Sequence, residues 1–172
     1  SFYLLNGREK MITKSPIRLQ ALSMLDLHQK HTFWDIGFCT GSVSIEAKLQ
    51  FPHLQIHAFE CRPEGETLIN LNTRKFGTPG IEYHIGDFME LDLSDLPAPD
   101  AVFIGGHGGK LTEMLQKIDR YLLPGGCIVF NSVSENSLHI FREGIEAIDR
   151  RIDNEISITV DSYNPITIIK AI

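Results

Sequence analysis

A glycine-containing loop follows the first β-prone run of the sequence and has the composition of a ligand-binding turn. The run Thr32–Ile36 leads into Gly-Phe-Cys-Thr-Gly at positions 37–41, and helix-forming residues begin at Ser42. Glycine permits tight backbone angles and close approach of a ligand, and the amides that open the next helix can face a carboxylate. We expect Asp35 to orient the loop from the end of the strand. A dinucleotide fingerprint is excluded, because G-x-G-x-x-G would also require glycine at Cys39 and Ser42.

Acidic residues end the next two β-prone runs. Glu60 lies 23 positions after Gly37 (60 minus 37), where a carboxylate can accept hydrogen bonds from both hydroxyls of a ribose. Asp87 and Phe88 follow the third run, where a carboxylate can bind an adenine amino group and an aromatic ring can flank the base. An ordinary turn is the simpler alternative for Glu60 and for Asp87. Together with the glycine loop, these positions predict a site for an adenosine-containing ligand.

Four glycines surround one histidine after the fourth β-prone run, in the order Gly105, Gly106, His107, Gly108 and Gly109. A backbone with so few side chains can lie against a large flat ligand. The end of this strand is also where the acceptor of a transferred group is expected in an open α/β sheet. We therefore expect the loop to serve the substrate and not the cofactor, although a solvated loop histidine explains His107 equally well.

The other histidines and the cysteines predict no metal site. The six remaining histidines lie near the ends of elements or lack neighbours with ligand spacing. The three cysteines are odd in number, far apart and without a C-x-x-C pair, so they predict neither a disulfide framework nor a zinc site. These residues are His28, His31, His53, His57, His84 and His139, with Cys39, Cys61 and Cys127.

Alternating helical and β-prone segments must position these residues along one edge of a sheet. Ser15 and Pro16 predict an N-cap and a first-turn proline for the first helix. Two β-rich runs with no long helix between them close the sequence, and they predict an antiparallel hairpin. The pattern indicates an α/β fold with a doubly wound, mostly parallel seven-stranded sheet and an antiparallel edge hairpin. The predicted helices span 15–27, 42–49, 63–76, 111–122 and 135–148, and the predicted strands span 32–36, 55–59, 81–85, 100–104, 127–130, 156–160 and 166–169.

Length and composition bound the class of protein. The 172 residues, 42% of them hydrophobic, suffice for one ordinary core, and we expect a single domain with an N-terminal segment and helix (1–30) and a core (31–172). A formal net charge of −6 argues against a general nucleic-acid surface. No apolar run approaches the roughly 20 residues of a membrane helix and no signal pattern is present, so we expect a cytoplasmic protein. A start at Ser1 instead of Met suggests a piece of a longer chain.

Six segments of the chain resemble the precorrin-6B (or cobalt-precorrin) C15-methyltransferase family, which is decarboxylating. The resemblance implies a Rossmann-like, class I S-adenosylmethionine-dependent methyltransferase of cobalamin biosynthesis. It also implies a domain that can be fused behind a C5-methyltransferase domain and that often assembles as a tetramer. The segments are MITKSPIR (11–18), WDIGFCTGSVSIEA (34–47), FECRPE (59–64), GDF (86–88), PDAVFIGGHGG (99–109) and LLPGGCIVFNSV (122–133).

The resemblance implies methyl transfer from S-adenosylmethionine to a meso carbon of a reduced corrinoid ring, with loss of carbon dioxide from the ring C acetate. It leaves the catalytic residues unassigned. Carried over by motif, the cofactor site would be lined by Thr13, Gly37, Phe38, Cys39, Thr40, Gly41, Glu60, Asp87 and Phe88.

A polycarboxylate substrate requires cations at the mouth of the site. Lys14 is expected to bind the substrate together with the loop from Gly105 to Gly109, although a solvated lysine is the simpler alternative. The cations near the predicted mouth are Arg8, Lys10, Lys14, Arg18 and Lys110. Two positions depart from the family pattern, because Cys39 stands where glycine is frequent and His107 where serine is frequent. The loop at Cys39 must therefore either tolerate a β-carbon or bind the cofactor less closely.

Two other functions remain open at this level. An RNA or protein methyltransferase of the same fold would share the glycine loop and the acidic strand ends. Net charge argues against RNA, and an Asn/Asp-Pro-Pro-Tyr/Phe segment at the fourth strand is lacking. A non-catalytic S-adenosylmethionine-binding domain is disfavoured by the intact glycine loop with Glu60 and Asp87.

Overall fold

The computed structural model describes residues 1–4 and 12–172 and contains one seven-stranded sheet in the order β3-β2-β1-β4-β5-β7-β6. The first five strands are parallel, and β7 runs antiparallel to both β5 and β6. The predicted α/β sheet with its edge hairpin is confirmed. The strands are β1 (Thr32–Ile36), β2 (Gln55–Glu60), β3 (Ile81–Ile85), β4 (Ala101–Ile104), β5 (Cys127–Ser132), β6 (Ile152–Ile158) and β7 (Ile166–Ala171).

In the described residues, five α-helices cover the two faces of the sheet. β1 and β4 are buried at every position, as expected for parallel strands with helices on both sides. Successive residues of a strand point to opposite faces, so Trp34 joins the core beneath α4 and α5, whereas Phe33 joins the core beneath α1 and α2. The helices are α1 (Ser15–Leu25), α2 (Ser42–Gln50), α3 (Glu64–Phe76), α4 (Leu111–Tyr121) and α5 (Glu135–Ala147).

The first helix begins and ends differently from its prediction. Its N-cap is Lys14 and makes no side-chain cap hydrogen bond, so Ser15 lies inside the helix and Pro16 in its first turn. Asp26 adopts a left-handed conformation with φ of 53°, which ends α1 before a short 3₁₀ turn at Leu27–Gln29. The sequence predicted one helix up to position 27. In the structure the α-helix ends at Leu25, and Leu27 is a buried residue of the 3₁₀ turn.

The terminal hairpin is confirmed, but its first strand is shifted. β6 spans Ile152–Ile158, whereas the β-rich composition predicted 156–160. The early part of β6 is polar and exposed, and its register against β7 shifts between Ile152 and Asn154. Composition does not reveal where β6 begins, because its first residues are polar and are held in the strand by pairing with β7.

The strand order reverses direction beside β1, and this places a crevice at the carboxyl ends of β1 and β4. From β1 the chain continues outward to β2 and β3, and it then crosses back to β4 on the other side of β1. Open α/β sheets bind ligands at such a switch point. The two loops that begin at Gly37 and Gly105 follow β1 and β4 there. No helix in the described part of the chain is long and apolar enough to cross a membrane.

Candidate functional site

The loop after β1 approaches the loop after β4 so closely that only glycine fits at position 37. Gly37 has φ of +74°, and a β-carbon there would lie 2.5 Å from the amide nitrogen of Gly106. The amides of Gly105 and Gly106 both donate to the carbonyl of Ile36, at 2.8 and 3.4 Å. The two loops therefore form one backbone-lined wall, and a side chain at Gly37 would force them apart.

Cys39 keeps the glycine-like conformation of the loop despite its side chain. Its φ is 55°, in the left-handed region that a β-carbon makes costly by about 1–2 kcal/mol. Its amide donates to Oε2 of Glu60 at 2.9 Å. Burial raises the pKa of the Cys39 thiol. The sequence left two alternatives for Cys39: a loop conformation that tolerates a β-carbon, or looser binding of the cofactor. The structure has a loop conformation that accommodates the β-carbon.

Glu60 ends β2 with a buried carboxylate that several donors hold in place. Oε1 accepts from the amide of Arg62 at 3.2 Å, and Nε of Arg62 lies 3.3 Å from the same oxygen. Glu60 is only 2% exposed, and a β-carbon on Gly65 would lie 2.7 Å from its Cγ. An ionised carboxylate offers about four lone-pair positions. The Cys61 thiol also donates to Oε1, at 3.7 Å, so Oε1 is crowded, and Oε2, which accepts from the Cys39 amide, is the oxygen that faces fewer of these donors.

Asp87 and Phe88 form the polar and apolar parts of the wall after β3. Oδ1 of Asp87 accepts from the amide of Met89, and Oδ2 accepts from Nζ of Lys110, both at 2.9 Å. The Lys110 hydrogen bond holds the pKa of Asp87 below its usual value. The Phe88 ring packs edge-on against Phe59 with centroids 5.3 Å apart. A carboxylate beside an aromatic surface suits the edge and face of a purine.

The loop after β4 presents a neutral histidine among glycines. Nδ1 of His107 accepts from the amide of Gly109 at 3.2 Å, and its ring lies 5.8 Å from that of Phe130. Burial lowers the pKa of His107, so the imidazole is uncharged at neutral pH. Gly108 and Gly109 adopt positive φ angles of 57° and 76°, a conformation in which side chains are disfavoured.

A cavity of about 390 Å³ unites residues that follow β1, β2, β3 and β4, and we call it the glycine-loop cavity. Its volume lies in the range of about 300–1,000 Å³ that small-molecule sites have. The predicted residues that line it are Gly37, Glu60, Asp87, Phe88, Gly106, His107 and Gly108. Expected cofactor residues and expected substrate residues thus share one cavity.

Residues that sequence reasoning did not assign to the site also line the glycine-loop cavity. Arg62 follows Glu60 by two positions and so extends from the same strand end, a spacing that could have identified it. Cys61 lies between them, and Met114 reaches the cavity from α4. The position of Met114 depends on how α4 packs, which local sequence does not reveal.

A second cavity of about 150 Å³ lies at the other end of the glycine-rich loop, and we call it the Lys14 cavity. Thr13 was expected at the cofactor, but it lines this cavity with Lys14 and Gly105. Nζ of Lys14 lies 4.8 Å from the centre of the Tyr163 ring. The lining is completed by Ile12, Ile17, Asn131, Val133, Ile158, Val160, Tyr163, Asn164 and Ile166. Among these described lining residues Lys14 carries the only charge, so the cavity favours an anion.

Asp35, Phe38, Thr40 and Gly41 lie behind the cavity wall. Asp35 is fully buried, and its Oδ2 accepts from Oγ of Ser44 at 2.6 Å, which ties β1 to α2. Burial raises the pKa of Asp35 to about 7. Phe38 packs with Ala58 and Ile69 in a small core cluster.

Thr40 and Gly41 complete the glycine loop and join it to α2. The Thr40 carbonyl accepts from Nδ2 of Asn72 on α3 at 2.9 Å, and Gly41 precedes α2 with φ of 83°. These two residues and those behind the wall fix the loop that the ligand would meet.

The expected cations occupy different environments. Arg18 is buried, and its guanidinium donates to the carbonyl of Thr13 at 2.8 Å, so it supports the chain beside the Lys14 cavity. Lys110 pairs with Asp87 at the glycine-loop cavity. Arg8 and Lys10 lie outside the described residues. Lys14 differs from Lys110, because the described lining of its cavity contains no carboxylate.

Comparison with known proteins identifies relatives that are named as precorrin or cobalt-precorrin methyltransferases. A family model described as a precorrin methyltransferase domain matches residues 5–164. The cobalt-precorrin-6B C(15)-methyltransferase (decarboxylating) of Salmonella typhimurium is 39% identical over 135 residues, which cover 78% of this chain and 69% of that protein. The precorrin-6Y C(5,15)-methyltransferase [decarboxylating] of Sinorhizobium sp is 37% identical over 123 residues, which cover 72% of this chain but 29% of that protein.

A solved structure shares the whole fold. The crystal structure of the precorrin-6Y C5,15-methyltransferase of Geobacter metallireducens GS-15 superposes with a TM-score of 0.90 at 35% sequence identity. The match covers 99% of this chain and 93% of that chain. The described elements are therefore those of a known methyltransferase structure.

Proposed function

This chain belongs to the precorrin methyltransferase family, and we propose that it methylates C15 of a precorrin or cobalt-precorrin with S-adenosylmethionine. The same substrate loses the carboxyl group of its ring C acetate as carbon dioxide, as a step of cobalamin biosynthesis. The observation that carries this proposal is the placement of Gly105 and Gly106. These adjacent residues line two different cavities: one is lined by the ion-paired carboxylates of Glu60 and Asp87, and the other has Lys14 in its lining.

Two features of the glycine-loop cavity support S-adenosylmethionine as its ligand, the smooth backbone wall and the hydrogen-bond acceptors. A β-carbon on Gly37 would contact the Gly106 backbone, so the wall is smooth only with glycine. Glu60 can accept from ribose hydroxyls, and Asp87 with Phe88 can meet the adenine edge and face. When bound, S-adenosylmethionine supplies an electrophilic methyl group on a sulfonium sulfur.

The residues of this chain contribute mainly position and exclusion of water. The ring carbon that accepts the methyl group is enamine-like, so catalysis needs an in-line approach and no dedicated protein nucleophile. Gly106, His107 and Gly108 give the macrocycle a nearly flat surface beside the cofactor. The neutral imidazole of His107 can hydrogen-bond a substrate group without adding charge next to the sulfonium.

The decarboxylation step needs no oxidant or reductant and consumes one proton. The bond between the acetate carbon and its carboxyl group breaks, and its electron pair enters the conjugated macrocycle, which acts as the electron sink. Carbon dioxide leaves, and a proton takes its place. The chain has to hold the carboxylate-rich edge of the ring. Lys14 and the amide groups of Asn131 and Asn164 offer donors for that task in the Lys14 cavity.

The Lys14 cavity is too small to enclose a whole tetrapyrrole, because its volume of about 150 Å³ is below the usual range for complete ligands. We therefore propose that it receives a carboxylate side chain while the ring lies across the loop from Gly105 to Gly109. In this arrangement Thr13 serves the substrate instead of the cofactor.

The chain can be one domain of a larger enzyme or an enzyme by itself. We propose that residues 1–172 act as one methyltransferase domain, in which residues 12–14 contribute to the substrate side. The Sinorhizobium relative is more than three times as long as the matched region, which is compatible with fusion to a second methyltransferase domain.

The function is tested by following the methyl group. The chain is incubated with S-adenosylmethionine carrying an isotopically labelled methyl group and, separately, with precorrin or cobalt-precorrin intermediates, bulk RNA or a protein extract. We expect label only in the tetrapyrrole reaction. Label in RNA or protein and none in the macrocycle would assign a different substrate.

A further inference from the structure

Three side chains with metal-binding atoms meet on the outer strands of the sheet, and none of them lines the glycine-loop cavity or the Lys14 cavity. In the register of β2 and β3, His57 lies opposite Glu82 and Phe59 lies opposite His84. Glu82 and His84 are two positions apart, so they and His57 project from the same face. The sequence separates His57 from the other two by the whole of α3, and for this reason ligand spacing did not reveal the cluster.

Two of the three separations between the ligand atoms are those of a tetrahedral metal site. Nδ1 of His57 lies 3.1 Å from Nε2 of His84 and 3.5 Å from Oε2 of Glu82. All three atoms lie within 4.8 Å of one another. Bonds of 2.0–2.1 Å to a tetrahedral zinc ion imply ligand atoms about 3.3 Å apart. Two of the three pairs therefore match, and the exposed side chain of Glu82 can rotate to close the third.

A metal binds the lone pair of an uncharged imidazole. Burial lowers the pKa of His57 and of His84, which is the direction that favours the uncharged form. Without an ion, the short contact between them is a hydrogen bond in which one ring donates. When the donor ring changes to its other tautomer, its proton moves to the nitrogen that faces away from the contact. Both facing nitrogens then present lone pairs, and one metal ion can bind both.

An ion can reach the cluster from solvent. His57 and Glu82 line an open cavity of about 470 Å³, and the Glu82 side chain is 70% exposed. The His57 side chain is only 5% exposed, so the inner side of the cluster is fixed by the sheet. Three protein ligands and an open outer side leave room for water as a fourth ligand.

We propose that His57, Glu82 and His84 bind one divalent transition-metal ion of the zinc class. Imidazole nitrogen with a single carboxylate suits zinc and its neighbours, whereas magnesium and calcium prefer all-oxygen sites. The ion joins β3, the edge strand, to β2. The His84 ring stacks on Phe59 at 5.0 Å, so the ion also fixes a ring that lines the glycine-loop cavity.

Metal binding is measured directly on the full chain without an affinity tag. Zinc is titrated in competition with a chromophoric chelator, and Co²⁺ is titrated separately because a tetrahedral Co²⁺ site has a strong visible absorption. We expect one ion per chain and no competition by excess Mg²⁺ or Ca²⁺. Each result is independent of methyltransferase activity.

The variants are chosen to keep the fold. Glu82→Gln and His84→Gln remove a ligand without altering the buried His57, and far-ultraviolet circular dichroism verifies folding. Loss of a residue that only hydrogen-bonds to a metal ligand costs about 10–100-fold in metal affinity, so loss of a ligand itself should weaken zinc binding at least tenfold.

His139→Gln is the matched control. His139 lies 3.1 Å from Glu143 on the surface of α5 and forms an exposed histidine–carboxylate pair, so its loss should leave zinc binding unchanged. The proposal is overturned if the wild-type chain binds less than one zinc ion under competition. It is also overturned if Glu82→Gln and His84→Gln bind zinc as tightly as the wild type or if His139→Gln weakens binding equally.

Discussion

Glu60 is the residue whose environment argues most directly for a ligand role. A buried carboxylate is costly unless donors surround it, and the amides of Cys39 and Arg62 supply them. Those contacts fix its orientation at the cavity wall. The contacts with Cys39 and Arg62 show that Glu60 holds the loop, and we propose that the same side chain binds a ribose.

Replacing Glu60 with alanine should weaken S-adenosylmethionine binding by about 1–3 kcal/mol, because hydroxyl groups lose a charged acceptor. Isothermal titration calorimetry measures the change. Glu64→Ala is the matched control, because Glu64 is exposed at the start of α3, and it should bind as the wild type does. Equal dissociation constants for all three proteins would remove Glu60 from the site.

Asp35 should make stability depend on pH. Its pKa in the fold is about 7, above the ordinary value of 3.8, because burial disfavours the charged form. The folded state therefore holds the proton more tightly than the unfolded state. The stabilisation is complete below about pH 4 and is lost as the pH rises through about 7. Asp35→Asn removes this titration and keeps an acceptor for Ser44.

Thermal unfolding of Asp35→Asn and the wild type at pH 5 and pH 8.5 tests this linkage. The Tm of the variant relative to the wild type should be higher at pH 8.5 by several degrees, since about 1 kcal/mol corresponds to about 2–4 °C in a domain of this size. The same Tm difference at both pH values would mean that Asp35 titrates normally.

At the scale of elements, the central feature is the contact between the loops after β1 and β4. Gly37→Ala places a β-carbon against the Gly106 backbone and also strains a positive φ. We expect at least a tenfold loss of S-adenosylmethionine affinity, measured by calorimetry on the folded fraction. The reason is that the loops must separate or shift.

Gly77→Ala separates the two effects. Gly77 ends α3 with φ of 62°, and its added β-carbon would have nothing within 4 Å. It therefore carries the backbone strain of about 1 kcal/mol without a steric contact. This variant should lose some stability and bind the ligand normally. Equal losses of affinity in both variants would show that strain, and not loop contact, is responsible.

Lys14, directly before α1, should contribute to substrate affinity. Lys14→Gln should raise the KM for the tetrapyrrole about tenfold, the effect of one lost charge-assisted contact of about 1.4 kcal/mol. The Kd of S-adenosylmethionine should stay unchanged. Lys75→Gln is the control, because Lys75 likewise lies over a tyrosine ring, 4.7 Å from Tyr3. A change in cofactor Kd with an unchanged KM would move Lys14 to the cofactor side.

The sequence predicts elements and strand-end residues well because these signals are local. Gly37, Glu60 and Asp87 were each expected from the residue types at the end of a strand, and they line one cavity. Thr13 shows where such reasoning stops. Its place in the Lys14 cavity depends on the packing of α1 against β5 and β7, a contact between distant parts of the chain. The shifted start of β6 has the same cause.

At the scale of the whole molecule, one loop separates two chemical environments. The reversal of strand order beside β1 places the loops after β1 and β4 side by side. Gly106 then lines the glycine-loop cavity, and Gly105 lines the Lys14 cavity. We propose that a cofactor with a ribose and an anionic macrocycle approach each other across Gly105 and Gly106, which have no side chains.

The most direct test of this account is the mass of the tetrapyrrole product. The chain is incubated with S-adenosylmethionine and the decarboxylation-competent precorrin or cobalt-precorrin, and the macrocycle is analysed by mass spectrometry. We predict a product that has gained one methyl group and lost one carbon dioxide, with neither change when S-adenosylmethionine or the macrocycle is omitted. A folded chain that binds S-adenosylmethionine but leaves the mass of both the metal-free and the cobalt-containing macrocycle unchanged would contradict the account.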